Sequence, residues 1–245
     1  PFCLDWRESE ELAALAAQKN LVNQVGYHYR YVGAFREMKR LVDAQAIGEI
    51  THVLAGAYGA VVLKPKGTTW RTDRQAGGGC LYDYAAHPIN LINWFFGLPD
   101  QVTGTILNSI FSADTDDEVY STFAYSGGMS VHLSVNWSDE SYRKMSTKPV
   151  AALPDYHEGW NVKYTTELTE PVRFYLRGEE YSAQLDDFVD AVQGKRKDTL
   201  NGFASAATTD RTISLMIDDA QREKTLAPEI VRQAPARKRW FGLAR

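Results

Sequence analysis

From position 70 the chain reads Trp70-Arg71-Thr-Asp-Arg-Gln-Ala-Gly77-Gly78-Gly79-Cys-Leu-Tyr-Asp83-Tyr-Ala-Ala-His87-Pro. These residue types and spacings suit proton transfer to or from an alcohol. Consecutive glycines permit backbone paths closed to other residues and let a ligand approach the main chain. The helix expected to follow directs free N-terminal amides at electron-rich groups such as hydroxyl or phosphate oxygens. Asp83 and His87 are four apart, which places them on one helix face. An imidazole with an ordinary pKa of about 6.5 takes or gives a proton near neutrality. The carboxylate could orient it, stabilise the imidazolium or hold a substrate hydroxyl. The same pair is also ordinary on a solvated helix surface, and metal binding is a further option, weak because no third ligand lies nearby.

Secondary candidates surround this stretch. Tyr27, His28 and Arg30 cluster in sequence, and Lys64 and Lys66 flank a loop that could reach an anionic substrate. His157 and Trp160 lie in a segment without clear periodicity and are candidates for lining a pocket. His52 and His132 fall on strand-like sequence and read as structural.

The positioning elements follow from apolar periodicity. Asp5–Asn20 predicts a helix, with Asp5 as N-cap, Glu8 three residues later, and Leu12, Leu15 and Ala16 on its apolar side. Leu21–Tyr27 reads as a short strand. Val32–Ala46 predicts an amphipathic helix with Phe35, Met38, Leu41 and Val42 inward. Glu49–Tyr58 reads as a strand, Lys64–Gly67 as a loop, and Leu81–Phe96 as a helix stopped by Gly97 and Pro99. Glu118–Trp137 carries period-2 alternation on both sides of Ser126-Gly-Gly128, the mark of a hairpin with one apolar and one polar face. Glu179–Gln193 predicts a helix with Tyr181, Leu185, Phe188 and Val192 on its stripe, and Phe203–Lys224 another. Strands followed by flanking helices without regular βαβ alternation imply an α+β fold: an open, mostly antiparallel sheet with helices on one face.

The 245 residues carry a net charge of −4, which argues against a general nucleic-acid binder. Cys3 and Cys80 are the only cysteines, too few for a disulfide scaffold, so a reduced, cytoplasmic setting is expected. No apolar run reaches the ~18 residues of a membrane span.

The pattern Gly77-Gly-Gly79-x-Leu81-x-Asp83-x-x-x-His87 resembles the signature of the glucose–fructose oxidoreductase / inositol dehydrogenase / MocA family. Val25-Gly-Tyr-His-Tyr-Arg30, Ala34-Phe35, Ile47-Gly-Glu-Ile50 and Trp70-Arg71 are similar to the family in the same order. The resemblance runs from Pro1 to about Lys148 and resumes near Glu179. At Lys148–Pro149 the family's next strand pair is replaced by Pro149-Val-Ala-Ala-Leu-Pro154, as a deletion or gap would leave it.

The resemblance implies an NAD- or NADP-dependent oxidoreductase acting on a sugar, sugar-nucleotide or polyol hydroxyl. His87 would be the proton acceptor with Asp83 beside it, and Tyr27, Arg30, Lys64, Trp70, Arg71, Gly78 and His157 would be substrate-contact candidates. It also implies a preceding Rossmann domain with a GxGxxG turn. Here Gly77 and Gly79 fit the first two glycine positions, but Tyr82 stands at the third. Pro1 resembles the proline of the family's Glu-Lys-Pro motif, beside the cofactor, so the chain is expected to start inside a longer protein. Residues 1–28 would then be the end of the nucleotide domain, and 29–245 a substrate-binding and oligomerisation domain assembling as a homo-oligomer through the open sheet face. The competing reading is a truncated, non-catalytic homologue used for sugar binding or assembly.

Overall fold

A computed structural model describes residues 1–62, 69–138, 144–147, 152, 154–159, 161–164 and 179–226. Lys64, Lys66, Trp160 and the Lys148–Pro149 junction lie outside the described residues.

The framework is an α+β arrangement around an open, mixed sheet. Its strands are β1 (His52–Tyr58), β2 (Gln101–Asn108), β3 (Glu118–Ala124) and β4 (Ser130–Asn136), in the order β1-β4-β3-β2. The expected hairpin is present: β3 pairs antiparallel with β4 from Glu118 opposite Asn136 to Ala124 opposite Ser130. Gly127 and Gly128, both at positive φ, turn the chain between them. β2 adds antiparallel to β3, whereas β1 lies parallel to β4. A bulge at Gly104 (φ +61) breaks the β2 register, and buried Asp219 accepts the Thr105 amide there at 2.8 Å. A small second sheet pairs β5 (Lys144–Thr147) with β6 (Asn161–Tyr164).

Alternation decides which face is buried. Val119, Phe123, Val131, Leu133, Val135 and Trp137 point inward and are at most 2% exposed. They meet Leu81, Ala85, Ile89 and Ile92 from α3 (Ala86–Phe96) and the turn before it, and Ile213 and Met216 from α5 (Phe203–Leu226). The opposite face carries His52, Leu54, Tyr120, Thr122, His132 and Ser134, and Leu54 there is 77% exposed. No helix among the described residues is long and apolar enough to cross a membrane.

Three sequence expectations need correction. Leu21–Tyr27 forms no strand. A strand needs a neighbouring ladder, and here the Val25 amide donates to the Asn201 carbonyl at 2.8 Å while the Tyr27 carbonyl accepts from the Asn201 side chain. On α1 (Trp6–Gln18), Leu12 and Leu15 are exposed, and Ser9 and Ala16 face inward. The inward side packs on α5 at Asp210, where a small hydroxyl fits: Ser9 Oγ lies 2.5 Å from Asp210 Oδ2. On α4 (Glu179–Val192), Leu185 and Val192 point out, whereas Ser182, Asp187 and Ala191 point in. The turn facing α4 presents the Tyr31 hydroxyl, and Asp187 accepts it at 2.8 Å together with the Leu200 amide and Arg196. A polar partner thus pulls a carboxylate into the stripe. Asp5 caps α1 through the Arg7 amide, as its sequence position predicts.

Phe123 is fully buried between the sheet and α3. Phe123→Ala is expected to cost about 3–5 kcal/mol by leaving a cavity, measured by urea denaturation followed by circular dichroism.

Candidate active site

The segment preceding α3 is not a plain α-helix. Residues Leu81–Ala85 form a π-turn that runs into α3. The turn begins where the Leu81 amide donates to Asp116 Oδ2 at 2.6 Å and the Cys80 amide donates to the Asp116 carbonyl at 2.7 Å. This places a carboxylate against otherwise unpaired helix-start amides. Gly79, at φ +111, makes the approach possible: a Cβ there would lie 2.8 Å from Asp116 Oδ1.

Asp83 lies in the π-turn and His87 in the first turn of α3. Asp83 accepts from Arg71, Nε to Oδ2 at 2.8 Å, and the Arg71 guanidinium lies over the Trp70 ring at 4.7 Å. His87 Nδ1 is sealed from solvent and has no hydrogen-bond partner. Its ring is enclosed by Tyr27 (5.8 Å between centroids), His28 (4.8 Å) and Tyr29 (5.3 Å). Burial first, then His28, push the His87 pKa down to about 3. The imidazole is therefore neutral at physiological pH.

Both side chains open onto one cleft of about 430 Å³. Its walls come from the start of the chain (Pro1, Phe2, Leu4), from Val25 to Tyr27, and from Trp70, Tyr82, Asp83 and His87. The first wall is held by buried Asp210 on α5, which accepts the Phe2 and Cys3 amides at 3.1 and 2.7 Å. The Tyr27 hydroxyl is also buried without a hydrogen-bond partner in ideal geometry, and burial raises its pKa well above the ordinary value.

Of the sequence candidates, Pro1, Tyr27, Trp70, Asp83 and His87 thus meet at one cleft, with Arg71 behind Asp83. Arg30 is not part of it. Its buried guanidinium donates to the Asn90 side chain (2.8 Å) and backbone (3.2 Å) and to the Leu200 carbonyl (3.1 Å), tying the turn at residues 28–31 to α3. Gly78 also serves the backbone: a Cβ would sit 2.5 Å from the Trp70 and Arg71 carbonyls. His157 is exposed, outside the cleft lining, in the loop before β6. Sequence reading missed Tyr82 and Asp210. Tyr82 lies inside the motif but carries no spacing signal, and Asp210 is a lone acid in a helix whose partners are some two hundred residues away.

Residues 35–148 match the GFO/IDH/MocA C-terminal domain family. The matched segment, a little under half of the chain, includes β1, the π-turn with α3 and the central hairpin. Among curated relatives, an oxidoreductase of Schizosaccharomyces pombe is 26% identical over 106 residues, 43% of this chain and 28% of its own length. The scyllo-inositol 2-dehydrogenase (NADP(+)) IolW of Bacillus subtilis is 26% identical over 127 residues, 51% of this chain and 34% of its own. The aligned regions thus span about a third of these relatives. A levoglucosan dehydrogenase in complex with NADH and levoglucosan superposes with a TM-score of 0.77 at 19% identity, covering 91% of this chain and 70% of that one. It shares the fold.

Two predictions follow from the geometry of the cleft. Gly78→Ala should displace the Trp70–Thr72 turn and lower the melting temperature, read by calorimetry. His87 should stay neutral in proton NMR titrations until the pH approaches about 3. Between the unfolded value of about 6.5 and that point the unfolded chain binds the extra proton, so stability falls as pH falls through this window. In His87→Gln that part of the pH dependence should vanish.

Proposed function

We propose that this chain forms the substrate side of the active site of an NAD- or NADP-dependent oxidoreductase acting on a sugar, sugar-nucleotide or polyol hydroxyl, with His87 as the acid/base. The observation that carries the reading is a neutral imidazole set at a cleft that Asp83 also lines. The relatives named as oxidoreductases and an inositol dehydrogenase support the reaction class.

The cleft also fits the cofactor that this chemistry requires. Phe2, Leu4 and Val25 supply an apolar wall beside Pro1 suited to the flat face of a nicotinamide. When bound, that ring accepts or returns the hydride. The remaining work falls to this chain's own residues. The substrate hydroxyl donates to His87, which takes the proton as the carbinol carbon is oxidised to a carbonyl. Asp83, fixed by Arg71, accepts from a neighbouring hydroxyl and sets the sugar's orientation. Trp70, backed by the Arg71 guanidinium, offers a ring face at the cleft mouth for the apolar side of a sugar. Tyr27, His28 and Tyr29 crowd the imidazole and exclude water, so the proton goes to His87 rather than to solvent.

In this reading the chain is the substrate-binding part of a longer, cytoplasmic enzyme whose nucleotide domain comes before it. Cys3 and Cys80 are both free thiols. The test is a screen of the whole protein against sugars, sugar nucleotides and inositols, following reduced nicotinamide. With an accepted substrate, His87→Ala should lower kcat by roughly 10²–10⁴-fold, with a smaller loss for Asp83→Asn. Turnover unchanged in His87→Ala would remove His87 from the acid/base role.

A further inference from the structure

The open face of the sheet carries a second pair of close histidines, unrelated to the cleft. His52 on β1 and His132 on β4 lie on adjacent parallel strands, with Leu54 opposite His132 in the register, so they are diagonal neighbours on the same side. Both are exposed. Their ring centroids are 4.9 Å apart at an interplanar angle of 55°. Each ring is tethered by its Nδ1. His52 Nδ1 is 3.2 Å from Ser130 Oγ, and His132 Nδ1 is 3.1 Å from Thr122 Oγ1.

We propose that His52 and His132 chelate one divalent transition cation of the Cu²⁺, Ni²⁺ or Zn²⁺ type through their Nε2 atoms. Three observations carry this. In an imidazole the two nitrogens lie on different sides of the ring, so a tethered Nδ1 directs Nε2 away from its hydroxyl partner. A hydroxyl accepts as readily as it donates, so Ser130 and Thr122 can each take an Nδ1–H and leave the Nε2 lone pair for a metal. This outer contact is the one that orients metal-bound histidines. Two imidazoles on one tetrahedral ion, each at about 2.0–2.1 Å, hold their rings roughly 5 Å apart, so the pair needs little movement to close on an ion. Among the described residues no third His, Cys, Asp or Glu completes a cluster. The remaining positions fall to water, or to the same pair from a second copy packed on this face. Such a nitrogen-only site favours imidazole-seeking cations over Mg²⁺ or Ca²⁺.

The experiment is calorimetric titration of Ni²⁺ and Zn²⁺ into the protein prepared without an oligohistidine tag, at neutral pH. Saturable uptake is expected, with no comparable heat for Mg²⁺. His52→Ala and His132→Ala should each abolish it, while His157→Ala and His28→Ala leave it intact. Circular dichroism shows whether each variant is folded. Both substituted positions are exposed, and Ser130→Ala and Thr122→Val should weaken uptake without removing a ligand. No saturable uptake, full uptake in either single-histidine variant, or loss in His28→Ala, which would move the ion to the cleft pair, each overturns the proposal. None of these outcomes depends on the oxidoreductase reading, because no reaction is measured.

Discussion

The amide of Leu81 donates to the buried carboxylate of Asp116, and the placement of the candidate site depends on that contact. It decides where the helix carrying Asp83 and His87 begins. It also joins that helix to the loop entering β3, whose next residue, Asp117, accepts the amides of Ile110, Phe111 and Ser112. A carboxylate with no exposure to speak of must be compensated by donors, and both aspartates are. Gly79 is what allows the approach, since any side chain there would strike the Asp116 oxygens.

A second carboxylate does the same for the opposite wall. Asp210 takes two backbone amides and the Ser9 hydroxyl, and so holds residues 2–9 against α5. Asp187 gathers Tyr31, Arg196 and the Leu200 amide between α4 and the turn bearing His28. The cleft is therefore bounded by three segments, each pinned by one buried acid to a different part of the scaffold. The apolar core between the sheet and α3 and α5 supplies the rigidity, and the acids supply the register. His87 sits where the pinned segments converge. Its neutrality follows from that crowding: an imidazolium there would lose most of its hydration and face a second imidazole.

The glycine triplet shows how one motif serves several physical ends. Gly77 is at φ +79 and lines the cleft. Gly78 makes room for three backbone carbonyls, those of Trp70, Arg71 and Asp73, and Gly79 admits Asp116. Substrate access was the reason first suggested by the residue type, yet two of the three glycines are explained by the packing of backbone on backbone and backbone on carboxylate. The carboxylate of Asp83 likewise takes Arg71 as its partner, whereas the four-residue spacing suggests His87, whose Nδ1 has none.

By itself the sequence determined the class of fold, the hairpin and its inward face, the helices near residues 33–43, 86–96 and 203–226, and the motif whose Asp83 and His87 meet at the cleft. These rest on local periodicity and on turn residues, and both act within a few positions of one another. Tertiary structure alone decided the rest. Whether Leu21–Tyr27 is a strand depends on a neighbour that Asn201 replaces. Which side of α1 and α4 turns inward depends on Asp210 and the Tyr31 hydroxyl, which outweigh several leucines because an unpaired buried polar group costs more than an exposed apolar one. That Arg30 ties the turn at residues 28–31 to α3, that Tyr82 lines the cleft and that Asp210 holds its first wall follow from contacts between residues far apart in the chain, where no spacing rule reaches.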